Sequence, residues 1–338
     1  MPISIIGLDI SKNVFQVHGV DEKGCVALRK RLRKAQVKTF FVKLPSCVVG
    51  IESTCGAHYW ARVLRSFGHT VRLIAPQFVK PYLQSQKNDP NDAAAICEAV
   101  SRPHMRFVPQ KTVEQQDLQA IHRVRSRLIG CRTQLGNQIR GLLGEYGIDL
   151  PLHLSHVRKA LPQLIDEEEV RLSASVKRLF ASLYGELVAL DGRIAAIDHS
   201  IDAAFQQNLL CQSISEVEGV GPVTATAVVA AIANGSSFQN GRQFAAWLGL
   251  VPSQHSSGDK QRLLGITKKG DPYLRTLLIH GARSVVFRSG GKRDSRSQWI
   301  AEKQRKLGTT KACVAVANKN ARIIWALLAK DVPYRRAA

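Results

Sequence analysis

Four carboxylates stand out by where they fall. Asp9 ends an apolar run over residues 3–10, and Glu52 closes a second over 47–51. Asp89 and Asp92 lie three apart in Lys87-Asn88-Asp89-Pro90-Asn91-Asp92, at the start of a helical pattern. Each sits at an element end, where apolar neighbours hold it rigidly. Hard divalent cations take oxygen ligands, and Mg²⁺ typically binds a few carboxylates plus substrate phosphate. Two such ions ~3.5–4 Å apart stabilise both the attacking and the leaving oxygen of a phosphoryl transfer. An i,i+3 pair on a helix reaches a single site. Taken singly, each acid has a structural reading. Asp89 before Pro90 suits an N-cap, Asp92 can complete a capping box with it, and Glu52 can be a solvent-facing strand end. Acids are scarce, 26 against 48 Lys and Arg, so four at element ends together favour a metal site.

The elements that would carry them follow from periodicity. Residues 3–10 and 25–32 read as strands, and residues 14–20 alternate as a third, with a turn at Asp21-Glu22-Lys23-Gly24. An amphipathic helix near 35–44, a strand at 47–51, a helix at 57–67, a strand at 70–75 and a helix opened by Pro76 complete a mixed α/β sheet. The period then changes. Apolar residues step by three or four from Leu118 to Leu142 and from Val176 to Ile201, two long helices with a coiled-coil-like seam suited to self-association. Arg123, Arg125, Arg127, Arg132 and Arg140 decorate the first, either as a solvated face or as a phosphate-tracking one. A third unit begins near 213. Gly219-Val220-Gly221-Pro222 opens an Ala/Val helix and looks like half of a helix-hairpin-helix, with free N–H groups suited to phosphate. Residues 244–250 read as a helix, 252–265 as a polar loop, 271–287 as a helix, 288–298 as a mobile basic loop and 310–329 as the last helix. The expected domains are 1–110, 111–207 and 208–338.

Length and charge narrow the partners. The chain has 338 residues and a formal net charge of +22, which points to a polyanion, most simply nucleic acid. The last quarter, 260–338, holds 19 Lys and Arg against 4 acids, a repulsion that a bound phosphate backbone relieves. No apolar run reaches ~18 residues, which argues against a spanning helix, and the N-terminus lacks an export pattern. The 7 cysteines form no CxxC pair, so a zinc knuckle or disulfide framework is not expected; a reduced cytoplasmic setting fits. Trp60, Trp247, Trp299 and Trp325 read as packing residues, with Trp299 also placed to stack on a base.

Three acidic motifs, Gly7-Leu8-Asp9-Ile10-Ser11-Lys12, Gly50-Ile51-Glu52-Ser53-Thr54-Cys55-Gly56 and Lys87-Asn88-Asp89-Pro90-Asn91-Asp92-Ala93, occur in order. Three more follow: Gly219-Val220-Gly221-Pro222, Phe244-Ala245-Ala246-Trp247-Leu248-Gly249-Leu250-Val251-Pro252 and Lys269-Gly270-Asp271-Pro272-Tyr273-Leu274-Arg275. Together they resemble, over the whole chain, the DEDD-type transposases of bacterial insertion sequences, the "one-ten / eleven-eleven" group. The resemblance implies an RNase H-like first domain related to the RuvC resolvase, with Asp9, Glu52, Asp89 and Asp92 as an acidic tetrad binding Mg²⁺ or Mn²⁺. It implies a mostly helical second domain whose serine attacks DNA and forms a covalent phosphoserine link. That serine follows Gly-Leu-x-Pro and precedes a glycine, which makes it Ser257, with Ser256 adjacent. It further implies dimer or tetramer assembly through the middle helices and a structured bridge RNA pairing with donor and target DNA, so that RNA reads sequence and protein reads shape.

The residues themselves are compatible with this. A serine hydroxyl is a weak nucleophile that needs activation by a base or a metal, and Lys260, Arg262, Lys268 and Lys269 can neutralise a crowded phosphate. The expected activity is therefore a site-specific DNA recombinase using Mg²⁺ and a serine intermediate. Two readings compete. A RuvC-like structure-selective nuclease would need only the first domain and water, and a nucleic-acid-binding protein without catalysis would need neither acids nor serine.

Overall fold

The computed structural model describes residues 2–83, 88–166, 172–258 and 260–335; Lys87 of the third acidic motif lies outside them. The chain divides into two compact units, Met1–Thr112 and Val113–Ala338.

The first unit is a six-stranded sheet. It begins with β1 (Ile5–Ile10), β2 (Val14–Val20) and β3 (Val26–Arg33), then α1 (Lys34–Val42), β4 (Val48–Glu52), α2 (Ala57–Ser66), β5 (Thr70–Ile74), α3 (Pro76–Val79), α4 (Asp89–Ser101) and β6 (Phe107–Val108). The order is β3-β2-β1-β4-β5-β6. β1, β2 and β3 pair antiparallel, and β1, β4 and β5 pair parallel. This mixed arrangement is consistent with the RNase H-like fold that the motifs imply.

Strand alternation sorts the side chains onto two faces. Ile6, Leu8, Phe15, Val17, Leu32, Val49, Ile51, Val71 and Leu73 share one core with Val37 and Phe41 of α1 and Trp60 and Leu64 of α2. The opposite face carries α4, whose Ala95, Ile96, Ala99 and Val100 form a second core with Ile74. Two glycines permit that packing. A Cβ on Gly7 would lie 2.1 Å from the Ala93 carbonyl oxygen and 2.4 Å from the Cys97 nitrogen. A Cβ on Gly50 would lie 2.8 Å from the Val100 Cβ. With glycine at both places, the small-residue face of α4 sits directly on the backbone of β1 and β4.

The second unit is helical apart from one hairpin. Its long helices are α5 (Val113–Gly144) and α7 (Ala174–Gln206), with α6 (Leu154–Asp166) between them. Leu128, Leu135, Ile139, Leu187, Leu190 and Ile194 form their shared core. α8 (Leu209–Ser215), α9 (Pro222–Ile232), α10 (Gly241–Trp247), β7 (Pro252–Gln254), β8 (Leu263–Ile266), α11 (Pro272–Arg288), α12 (Ser295–Leu307) and α13 (Thr309–Lys330) follow. At the turn before α9, Gly219 (φ +89°) crosses α11 at Gly281, so close that a Cβ on Gly281 would sit 1.8 Å from the Gly219 oxygen.

Several sequence expectations change here. Residues 252–265 form not a plain polar loop but the antiparallel β7–β8 hairpin. Residues 288–298 are not one mobile loop, because Asp294 caps α12 by accepting from Ser297 N at 2.9 Å. Arg296 is 9% exposed; it donates to Asn320 Oδ1 at 2.8 Å and lies 3.3 Å from Glu218. The arginines of α5 are not a uniform solvated or phosphate-facing row. Arg125 pairs with Asp198 of α7. Arg132 (3.0 Å) and Arg158 of α6 (2.7 Å) share Asp191. By length and mean composition alone α13 is apolar enough to cross a bilayer, though Lys311, Lys319 and Arg322 interrupt it and it holds no continuous apolar run of that length. Its Val316, Ala317, Ile324 and Leu328 are buried in the core of the second unit. Trp247 is 39% exposed, against 5% for Trp60.

Candidate active site

Asp9 lies one residue beyond the Leu8–Ile51 pair that ends the β1–β4 ladder, so Glu52 is its neighbour across that ladder. Both follow the alternation of Gly7 and Gly50, so both stand on the sheet face that α4 covers. α4 enters from the same end. Its N-cap is Asn88, not Asp89: the Asn88 side chain accepts from Asn91 N at 2.9 Å, and its carbonyl accepts from Asp92 N at 2.9 Å. Asp89 is thereby released from the capping role that the sequence alone allowed it. Both Asp89 and Asp92 occupy the first turn, where the positive end of the helix dipole favours carboxylates.

The result is a cluster. One carboxylate oxygen each from Asp9, Asp89 and Asp92 lies within 4.8 Å of the others. Asp9 and Asp92 are half-buried, and Asp89 is exposed. Glu52 is half-buried at the end of the adjacent strand but is not a member of this close trio. The cluster thus joins three of the four carboxylates expected from sequence. Three carboxylates this close repel one another, and a cation among them removes that cost. An all-oxygen donor set suits a hard divalent ion, not a thiolate-preferring one.

Ser257 and Ser256 lie in the second unit, at the tip of the β7–β8 hairpin, both exposed. They differ in their bonding. Ser256 Oγ accepts from Gln254 Nε2 at 2.9 Å and from Arg262 N at 3.2 Å. Ser257 contributes its backbone, with its carbonyl accepting from Lys260 N at 3.2 Å, and its hydroxyl has no hydrogen bond among the described residues. Gly258 follows at φ +54°, a conformation that favours glycine and turns the chain back. Arg262, Lys268 and Lys269 are exposed around this hairpin.

The base of the hairpin is held by the two glycine motifs. Lys268 N donates to Gly249 O at 3.2 Å, and Thr267 N to Val251 O at 2.9 Å. A Cβ on Gly249 would lie 2.2 Å from Lys269 O, and one on Gly270 would lie 1.8 Å from Trp247 O. Arg275 donates to Leu248 O at 3.1 Å, and Asn318 to Leu250 O at 3.1 Å. Asp271 caps α11, accepting from Tyr273 N at 2.8 Å.

Sequence reading missed a buried polar relay behind that cap. Thr226 Oγ1 donates to Pro222 O at 2.7 Å and so accepts from His122 Nε2 at 3.0 Å. His122 Nδ1 then accepts from the Tyr273 hydroxyl at 3.0 Å. Burial, reinforced by the charge of Arg125, pushes the His122 pKa down from 6.5 to about 4, which keeps the ring neutral at physiological pH. The relay joins α5, α9 and α11. Its only sequence trace was Tyr273 within the last glycine motif.

Comparison with known proteins adds family evidence. Residues 6–148 match the model described as "Transposase", of the DEDD IS110 type, and residues 211–307 match that of the transposase IS116/IS110/IS902 family. The chain is 51% identical to a "Probable family 20 transposase" of Pseudomonas aeruginosa, over 99% of each chain. It is 45% identical to the "Transposase for insertion sequence element IS1111A" of Coxiella burnetii, over 99% of this chain and 92% of that one. It is 36% identical to the "Transposase for insertion sequence element IS1328" of Yersinia enterocolitica, over 99% of each.

Proposed function

The chain belongs to the IS116/IS110/IS902 family of transposases, and from that premise we propose how its residues divide the work of moving an insertion sequence. The protein is a transposase, an enzyme of DNA strand transfer. The observation that carries the reading is the Asp9–Asp89–Asp92 cluster at one end of the first-unit sheet, with Glu52 on the neighbouring strand. These four carboxylates hold divalent metal, Mg²⁺ or Mn²⁺. Such an ion supplies Lewis-acid stabilisation of phosphoryl oxygens.

Ser257 is the nucleophile. Its Oγ forms a bond to the scissile phosphorus, the bond from phosphorus to one deoxyribose oxygen breaks, the hydroxyl proton leaves, and the released sugar oxygen is protonated. A second DNA end then attacks the phosphoserine, restores the hydroxyl and rejoins the strands. The unengaged Ser257 hydroxyl supports this assignment over Ser256, whose oxygen already accepts two hydrogen bonds. Exposed Arg262, Lys268 and Lys269 offset phosphate charge as the phosphorus becomes five-coordinate.

The helical segment 111–207 is the assembly region of a homodimer or tetramer. Support comes from Val124 (41%), Leu179 (49%) and Val188 (52%), apolar residues left exposed on its long helices. The basic segment 208–338, with its helix-hairpin-helix-like turn at Gly219–Pro222, binds donor and target DNA and an element-encoded bridge RNA, in the cytoplasm.

The test is incubation with that RNA, both DNAs and Mg²⁺, read on a denaturing gel. A protein-linked DNA band that Ser257→Ala abolishes is the expected result. Free DNA ends with no protein adduct, from wild type and Ser257→Ala alike, would replace this reading with a hydrolytic nuclease.

A further inference from the structure

The sheet register places a row of arginines beside the acidic cluster. Asp9 of β1 pairs with Gln16 of β2, which pairs with Arg31 of β3. One step along, Gly7 pairs with His18, and His18 pairs with Arg29; at the other side, Val14 pairs with Arg33. Because side chains alternate, Arg29, Arg31 and Arg33 project from the face that bears Asp9, whereas Leu28, Lys30 and Leu32 project from the other. The packing agrees: Leu32 is buried in the core of the opposite face, and Lys30 lies 5.2 Å above the Phe40 ring of α1.

All three arginines are exposed, and none makes a salt bridge among the described residues. β3 is the outer strand of the sheet. α4 lies over β1, β4 and β2, and a cleft of about 580 Å³ bordered by His18, Arg29, Asn91 and Glu98 lies between it and Arg29. Three acids border that cleft, Asp21, Glu22 and Glu98, and two of them are already engaged. Glu98 pairs with Arg102, and Asp21 accepts from the backbone of its own turn at 2.9 Å. Arg31 and Arg33 lie outside the lining of that cleft and its acids, so the row presents exposed positive charge without a salt-bridge partner among the described residues, with its middle member in line with Asp9. Successive arginines on one face are about 7 Å apart, and adjacent strands about 4.8 Å apart, so the Arg31 backbone lies about 10 Å from that of Asp9.

We propose that Arg29, Arg31 and Arg33 form a backbone track for the DNA strand that is cut at the Asp9 cluster, gripping consecutive phosphates beside the scissile one. The proposal rests on the acidic site described above and gives it a substrate-positioning edge. Its occupant is DNA. Phosphate oxygens suit the guanidinium fork, and contacts to phosphates bind by charge and geometry, independent of sequence.

The test uses the full-length protein in EDTA, so that binding is read without catalysis. DNA affinity is measured against salt for wild type, the Arg29→Gln/Arg31→Gln/Arg33→Gln triple variant, Arg31→Gln alone, Arg31→Lys, and Lys30→Gln from the opposite face. Each lost phosphate contact makes the log–log salt slope shallower by about 0.7 to 0.9. The triple variant is expected to lose about 2 to 3 from the slope and at least about tenfold in affinity, with an unchanged melting temperature. Arg31→Gln should lose about one contact's worth of slope, Arg31→Lys should restore it, and Lys30→Gln should leave it alone.

An unchanged slope in the triple variant overturns the proposal. So does an equal effect of Lys30→Gln, which would make net charge the cause and not the face, or a loss confined to RNA. Failure of the metal reading would appear elsewhere, as an Asp9→Asn protein that still cuts DNA, and leaves this metal-free measurement readable.

Discussion

Gly7→Ala probes how the acids are positioned without touching any of them. The added Cβ would fall 2.1 Å from the Ala93 oxygen, 2.4 Å from the Cys97 nitrogen and 2.8 Å from the Cys97 Cβ. Two of these are helix backbone atoms, so no rotamer change relieves the clash. A carbon–oxygen contact relaxes to about 3.3 Å, so α4 must lift from β1 by roughly 1 Å. Ala93 adjoins Asp92 in the first turns of α4, and the displacement carries Asp89 and Asp92 away from Asp9. Overpacking of this kind costs about 1–3 kcal/mol of stability, and a misplacement of about 1 Å in a reacting constellation costs about 10²-fold in rate. Gly50→Ala is the matched control. Its Cβ meets the side chain of Val100 at 2.8 Å, two turns further along the helix, so it should lower the melting temperature comparably while slowing the reaction much less. The assay is DNA strand cleavage with Mn²⁺, paired with thermal melting and Mn²⁺ titration. If Gly7→Ala cleaves DNA at the wild-type rate and binds Mn²⁺ normally despite a lowered melting temperature, the idea that α4 seating sets the cluster is refuted.

Other predictions follow from the same contacts. Ser257→Ala should abolish covalent protein–DNA adduct, while Ser256→Ala keeps it at a reduced rate, because Ser256 ties the hairpin tip to Arg262; adduct from Ser257→Ala and none from Ser256→Ala would reverse the assignment. Asn88→Ala should cost about 1 kcal/mol through loss of the α4 cap, and Asn88→Asp should recover it in thermal melts. His122 has a folded pKa of about 4 against 6.5 when unfolded, so the unfolded chain takes up its proton first. Stability should be level above pH 6.5 and fall as the pH drops towards 4, by up to about 3 kcal/mol. His122→Gln should remove one proton from that dependence in denaturant titrations at several pH values, and an unaltered dependence would mean that another group titrates there.

Much of the first unit was legible because its chemistry is local. Alternation in 14–20, the Asp21–Gly24 turn and apolar runs ending in Asp9 and Glu52 are properties of short segments, and β1 to β5 lie within a residue or two of where they read. The joining of Asp9 to Asp89 and Asp92 was not local. It depends on the parallel β1–β4 ladder and on Gly7 letting α4 settle, and no spacing in the sequence encodes either. Nor did the sequence separate Glu52 from the closer trio, since that turns on side-chain reach at a strand end.

The second unit shows the opposite balance. The two long helices α5 and α7 were clear from apolar steps of three or four, but α6 was hidden by Pro162 within it. α12 was hidden by Gly290-Gly291 and a run of charges that look like loop. The β7–β8 hairpin is too short and polar for alternation to register. Arg125 and Arg132 of α5 were ambiguous because their partners, Asp198 and Asp191, stand on another helix. Charge runs reveal sign and density; only the tertiary structure reveals which members are already neutralised.

The most direct test of the central claim is Mn²⁺ binding and DNA cutting measured side by side in wild type and Asp9→Asn, with melting curves confirming the fold. The account predicts that both are lost together while the melting temperature stays the same or rises, since one of three mutually repelling carboxylates has been neutralised. DNA cutting that survives in a protein that no longer binds Mn²⁺ would contradict it.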